Sequence, residues 1–117
     1  MTKTADDVKK FIKIAEDMLN QGEIDTSINR LYIAAENIAS LMLEKRSIII
    51  PKRHDKIANA IEHLFKTGKI NKDFSVIMRR LYDLHLFSDY GRKIENPASK
   101  EELKHMLAET KSLLKIL

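Results

Sequence analysis

Apolar residues recur at three- and four-residue steps along most of the chain, the spacing that lines one face of an α-helix. Val8, Phe11, Ile12, Ala15, Met18 and Leu19 form the first stripe, which closes at Gly22, a residue suited to the left-handed turn after a helix. A second helix is predicted to begin near Asp25 or Thr26, whose side chains can accept from the open N–H groups of a first turn. It carries Ile28, Leu31, Tyr32, Ala35, Ile38, Ala39 and Met42 on one face and runs to about Glu44 or Arg46. The period breaks between Lys45 and Arg53, where Ile48-Ile49-Ile50 precede Pro51. Proline has no N–H and drives the residue before it out of helical backbone, so this stretch is the main loop. Ile57, Ala60, Ile61 and Leu64 mark a third helix that stops by Gly68. Phe74, Ile77, Met78, Leu81 and Leu84 mark a fourth, from about Asn71 to about Gly91. Ser99 with Glu102 three residues on reads as a capping box, ahead of a last stripe of Leu103, Met106, Leu107, Thr110, Leu113, Leu114 and Leu117.

No segment alternates with period two for long, so the expected fold is all-α: an antiparallel up-down four-helix bundle with an additional shorter helix. No composition shift marks a boundary, and residues 1–117 are expected to form a single domain around one core. Ala34, Ala35, Ala39 and Ser40 on the second helix let another helix come close, which suits either the bundle centre or a dimer seam.

Composition narrows the chemistry. With no cysteine, neither a disulfide framework nor a thiolate nucleophile is available. The four histidines are spread along the chain without paired ligand spacing, so no metal and no cofactor is expected. There is no long apolar run and no apolar leader after Met1, and a soluble cytoplasmic protein with no membrane contact is expected. Lys and Arg exceed Asp and Glu by 21 to 17, a net charge of +4 that modestly favours nucleic acid or an acidic partner.

Candidate chemistry gathers on the fourth helix, where Arg80 and His85 are followed by Asp89 and Tyr90. An arginine holds phosphate through a planar fork of donors, and a histidine moves protons near neutral pH. Five residues of continuous helix turn about 500°, leaving the two side chains about 140° apart, so their cooperation needs a distorted helix end or a second subunit. Asp89, four residues after His85, is placed to orient the imidazole, or to close the turn at Gly91. The plain alternative has Arg80 paired with Asp83, His85 at a bundle edge and Tyr90 packed on the last helix. Lys45, Arg46, Lys52, Arg53, His54 and Lys56 crowd the main loop, where they suit phosphate contact or a solvated surface.

Three segments carry a resemblance: Asn29-Arg30-Leu31-Tyr32-Ile33-Ala34-Ala35, the run from Val76 to Gly91, and the helix start Pro97-Ala98-Ser99-Lys100-Glu101-Glu102. Together they resemble the small prokaryotic branch of the HEPN superfamily, over about Val8 to Leu117. Arg80-x4-His85 is similar to the motif of HEPN ribonucleases, although Leu81 stands where active members usually carry a polar residue. Asp89-Tyr90 looks like an ending common in this branch, and aligning on it places His85 where relatives carry the motif arginine. The resemblance implies a toxin-like, metal-independent endoribonuclease with Arg80, His85 and Asp89 as catalytic residues in a homodimer cleft. Arg30, Tyr32, Arg79, Tyr90, Lys52, Arg53 and His54 would bind RNA or nucleotide, and a minimal nucleotidyltransferase would act as antitoxin. The alternative is a non-catalytic HEPN module that binds a nucleotide or a nucleotidyltransferase.

Overall fold

Thr4 opens the first helix by accepting from the Asp7 N–H at 3.2 Å, while the Asp7 carboxylate accepts from the Thr4 N–H at 3.1 Å. This reciprocal box satisfies two groups that every helix start leaves open. The computed structural model describes residues 4–90 and 98–116, the side chains of residues 87–90 excepted. Five helices follow in chain order: α1 Ala5–Asn20, α2 Ile24–Lys45, α3 His54–Lys66, α4 Ser75–Tyr90 and α5 Lys100–Lys115. No strand occurs among the described residues, so the protein is all-α. Among the described residues no helix is long and apolar enough to cross a membrane.

Three helices end in the same way. After α1 the Glu23 N–H reaches Met18 O at 2.8 Å and the Gly22 N–H reaches Leu19 O at 3.1 Å. After α3 the Lys69 N–H reaches Leu64 O at 2.8 Å and the Gly68 N–H reaches Phe65 O at 3.1 Å. The turn requires a left-handed residue, and Gly22 (φ 80°) and Gly68 (φ 74°) supply it without a Cβ clash. The same pair of bonds closes α2, from Ile48 to Leu43 O and from Ser47 to Glu44 O, but there the left-handed residue is Ser47 at φ 58°. A side chain in that region costs about 1–2 kcal/mol, part of which glycine returns through its freer unfolded chain. Ser47→Gly is therefore expected to raise stability by about 0.5 kcal/mol in urea unfolding. A decrease would show that Ser47 is not strained.

Two starts and one cap differ from the sequence pattern. α2 begins at Ile24, with Glu23 as N-cap and no side-chain cap, because only residues 21–23 separate it from α1. Asp25 thus lies inside the first turn, where its charge still favours the helix dipole. α4 begins at Ser75 rather than near Asn71, and Asp73 accepts from the Ser75 N–H at 3.0 Å while Phe74 is buried. At α5, Ser99 Oγ accepts from the Glu102 N–H at 3.0 Å, but both Glu102 carboxylate oxygens are taken by Arg80.

α2 is the central helix and packs against each of the other four. Leu31, Ala34, Ile38, Ala39 and Leu43 are fully buried along it, with Ala35 and Ser40 nearly so, and the small residues are thus used at the bundle centre. They let α1 and α4 pack closely on it. The buried Ser27 Oγ donates to Ala15 O at 2.7 Å, joining α2 to α1 without leaving a polar atom unsatisfied. Lys111 pairs with Glu16 to tie α5 to α1, and Lys72 pairs with Glu109 to tie the turn before α4 to α5.

A candidate binding cleft between the second, third and fourth helices

Tyr32 lies one turn after Asn29 on α2, and the pair meets α4 where that helix crosses. His85 donates from Nδ1 to Asn29 Oδ1 at 3.0 Å, and its ring lies on that of Tyr32 with centroids 4.4 Å apart and planes within 12°. Tyr82, one turn before His85, approaches Tyr32 at 5.9 Å and 45°. His54, the first residue of α3, completes the series against Tyr82 at 3.6 Å and 33°. Four rings from three helices thus form one continuous wall, and such offset arrangements stabilise packed aromatic pairs.

Tyr32, Tyr82 and His54 face an open pocket of about 280 Å³. Ala35, Ala58 and Met78 give it an apolar floor, and Glu36, Asp55, Asn59, Arg79 and Asp83 supply polar edges. Tyr32 Oη donates to Glu36 Oε2 at 2.6 Å, fixing a half-buried carboxylate at the wall. Asp55 is held by the Arg53 fork at 3.0 and 3.1 Å. Arg79 lines the pocket, but its guanidinium is bound to Glu62 (2.7 Å), Asn59 (2.9 Å) and Ser75 Oγ (3.0 Å). Hydrogen bonds from Lys66 and then Arg79 hold the Glu62 carboxyl below its ordinary pKa, so this network stays ionised around neutral pH.

Arg80 and His85 are not brought together within the chain. Arg80 extends to α5, where Nε and Nη2 contact the Glu102 carboxylate at 3.1 and 2.9 Å, and this hydrogen bonding raises the guanidinium pKa further. His85 instead faces Asn29 and Tyr32 on α2. The divergence is what the angular offset of five helical residues dictates, since α4 runs as continuous helix through both. Arg30 is half-buried on α2 and does not line the pocket. Lys52 and Arg53 are exposed and immediately precede His54 in the chain, but neither lines the pocket. The side chains of Asp89 and Tyr90 lie outside the described residues.

Asn29, Glu36 and Tyr82 belong to the site although their types alone do not announce it. Their signal is helical spacing, Tyr32 to Glu36 at four residues and Tyr82 to His85 at three, which puts each on the face of a ring already suspected. Among the described residues no group of three or more His, Asp or Glu side chains is placed to hold a metal.

A UPF0332 protein of Thermotoga maritima is 26% identical over 81 residues, a match that covers 69% of this chain and 61% of that protein. The chain therefore spans less than two thirds of the relative's length. No solved structure matches it. The model of the HEPN domain matches residues 6–117, nearly the entire five-helix bundle, and the chain belongs to the HEPN domain family.

Proposed function

We propose that this chain is a binding HEPN module that takes a nucleotide by its base in the cleft between α2, α3 and α4. The observation that carries the reading is the ring wall of Tyr32, Tyr82 and His54 around an open pocket. Aromatic faces bind bases by stacking, worth about 1–3 kcal/mol per base. The pocket's 280 Å³ is just under the roughly 300 Å³ where small-ligand sites begin, which suits a base better than a larger ligand. Lys52, Arg53 and Lys56 are exposed and lie within two residues of His54 in the chain, near enough to serve a nucleotide's phosphate. A homodimer and a minimal nucleotidyltransferase are the partners that fit such a module.

A second reading, the toxin-like endoribonuclease, is favoured by one feature. Asn29 and Tyr32 fix the imidazole of His85 in a single orientation, as a general acid or base requires. Its arginine would have to come from a partner subunit, or from Arg80 after release by Glu102.

One pair of measurements separates the two. Calorimetric titration with nucleoside monophosphates is expected to show saturable binding that weakens as salt rises. Incubation of purified protein with RNA and a chelator is expected to leave the RNA intact. Chelator-resistant cleavage that disappears in His85→Ala would replace the binding reading with the ribonuclease.

A further inference from the structure

We infer that the cleft selects guanine, with Glu36 reading the base edge. The inference rests on the cleft being a nucleotide site and adds which nucleotide it takes. An ionised carboxylate only accepts hydrogen bonds, through two oxygens side by side. Guanine alone among the common bases presents two neighbouring donors on its pairing edge, N1–H and the N2 amino group. Adenine and cytosine each set an acceptor beside their amino group, and uracil sets acceptors on both sides of its N3–H, so each would bring a lone pair against the carboxylate.

Glu36 is the carboxylate built for this contact. It stands on the pocket wall, half-buried, and Tyr32 Oη holds its Oε2 at 2.6 Å, so its direction is set before a ligand arrives. That bond leaves acceptor capacity, because a carboxylate has about four lone-pair sites. The same Tyr32 contributes a ring to the wall, so the surface on which a base would stack and the group that would read its edge are coupled. The other two pocket carboxylates are less suited, since Asp55 is occupied by Arg53 and Asp83 is solvent-exposed. Arg79 is already bound to Glu62, Asn59 and Ser75, so it does not bring a competing acceptor-seeking group to the same edge.

Calorimetric titration of the full chain with GMP, IMP, AMP and CMP tests this directly. GMP is expected to bind tightest. IMP, which lacks only the N2 amino group, should bind about tenfold more weakly, in line with the loss of one partner of a paired contact. Glu36→Gln should weaken GMP about tenfold and strengthen AMP, because an amide can donate to the adenine acceptor that a carboxylate opposes. Equal binding of all four nucleotides overturns the guanine assignment and leaves the nucleotide reading standing. Tighter binding of agmatine than of GMP would also overturn it, showing a pocket that collects cations. Binding of none of them overturns the nucleotide reading itself. The ratio of GMP to IMP is measured on the unaltered protein, so the outcome does not depend on Glu36→Gln folding.

Discussion

Tyr32→Ala is expected to weaken nucleotide binding by at least tenfold while the helical content stays unchanged. Tyr32 is the one ring that touches both others from α4, lying on His85 at 4.4 Å and near Tyr82 at 5.9 Å, and it also orients Glu36. Truncation removes a stacking surface worth about 1–3 kcal/mol and lets His85 and Glu36 turn away from their present directions. Tyr32→Phe separates these roles, because it keeps the ring and deletes only the hydroxyl. It should retain most affinity for AMP. Calorimetry with circular dichroism on the same samples measures both quantities. If Tyr32→Ala binds as tightly as the parent, the ring wall is not the binding surface.

Leu81→Ala should lower the free energy of unfolding by about 3–4 kcal/mol, inside the range of about 2–5 seen for buried leucines. Leu81 is fully buried in the core, so deleting three carbons opens a void among side chains that have little freedom to close it. Domains of this size are stable by about 5–15 kcal/mol, and the variant would sit close to the limit of folding. Leu86→Ala, at a half-buried position on the same helix, should cost less. Urea unfolding followed by circular dichroism gives both values. A loss below about 1 kcal/mol for Leu81→Ala would mean that this contact is far looser than its burial indicates. The result also bears on chemistry, for the position after Arg80 is committed to the core and has no polar group to offer a substrate.

Periodicity made the helices legible because burial repeats with the helical turn, and Gly22 and Gly68 marked two ends because the closing turn needs a left-handed residue. Ser47 takes the same conformation after α2 without a compositional sign. Glu102 misled in the opposite direction: its spacing from Ser99 fits a capping box, yet a guanidinium 22 residues earlier in the chain attracts its carboxylate more strongly than a backbone N–H. At the site, Tyr32, His54 and His85 stood out by type. Their grouping with Asn29, Glu36 and Tyr82 depends on how α2, α3 and α4 pack, which no local pattern encodes. The separation of Arg80 from His85 was readable as an angle, but Glu102 as the destination of Arg80 was not.

The central position of α2 has a consequence for motion. A helix that packs against all four others stays held by the rest when one neighbour moves, so its innermost amides should exchange with solvent only when the whole bundle opens. Asn29, Tyr32 and Glu36 are mounted on that helix. His54 sits at the first turn of α3, which touches only α2 and α4 among the main contacts and follows an exposed loop. The cleft therefore has one wall that breathes with global unfolding and one that breathes locally.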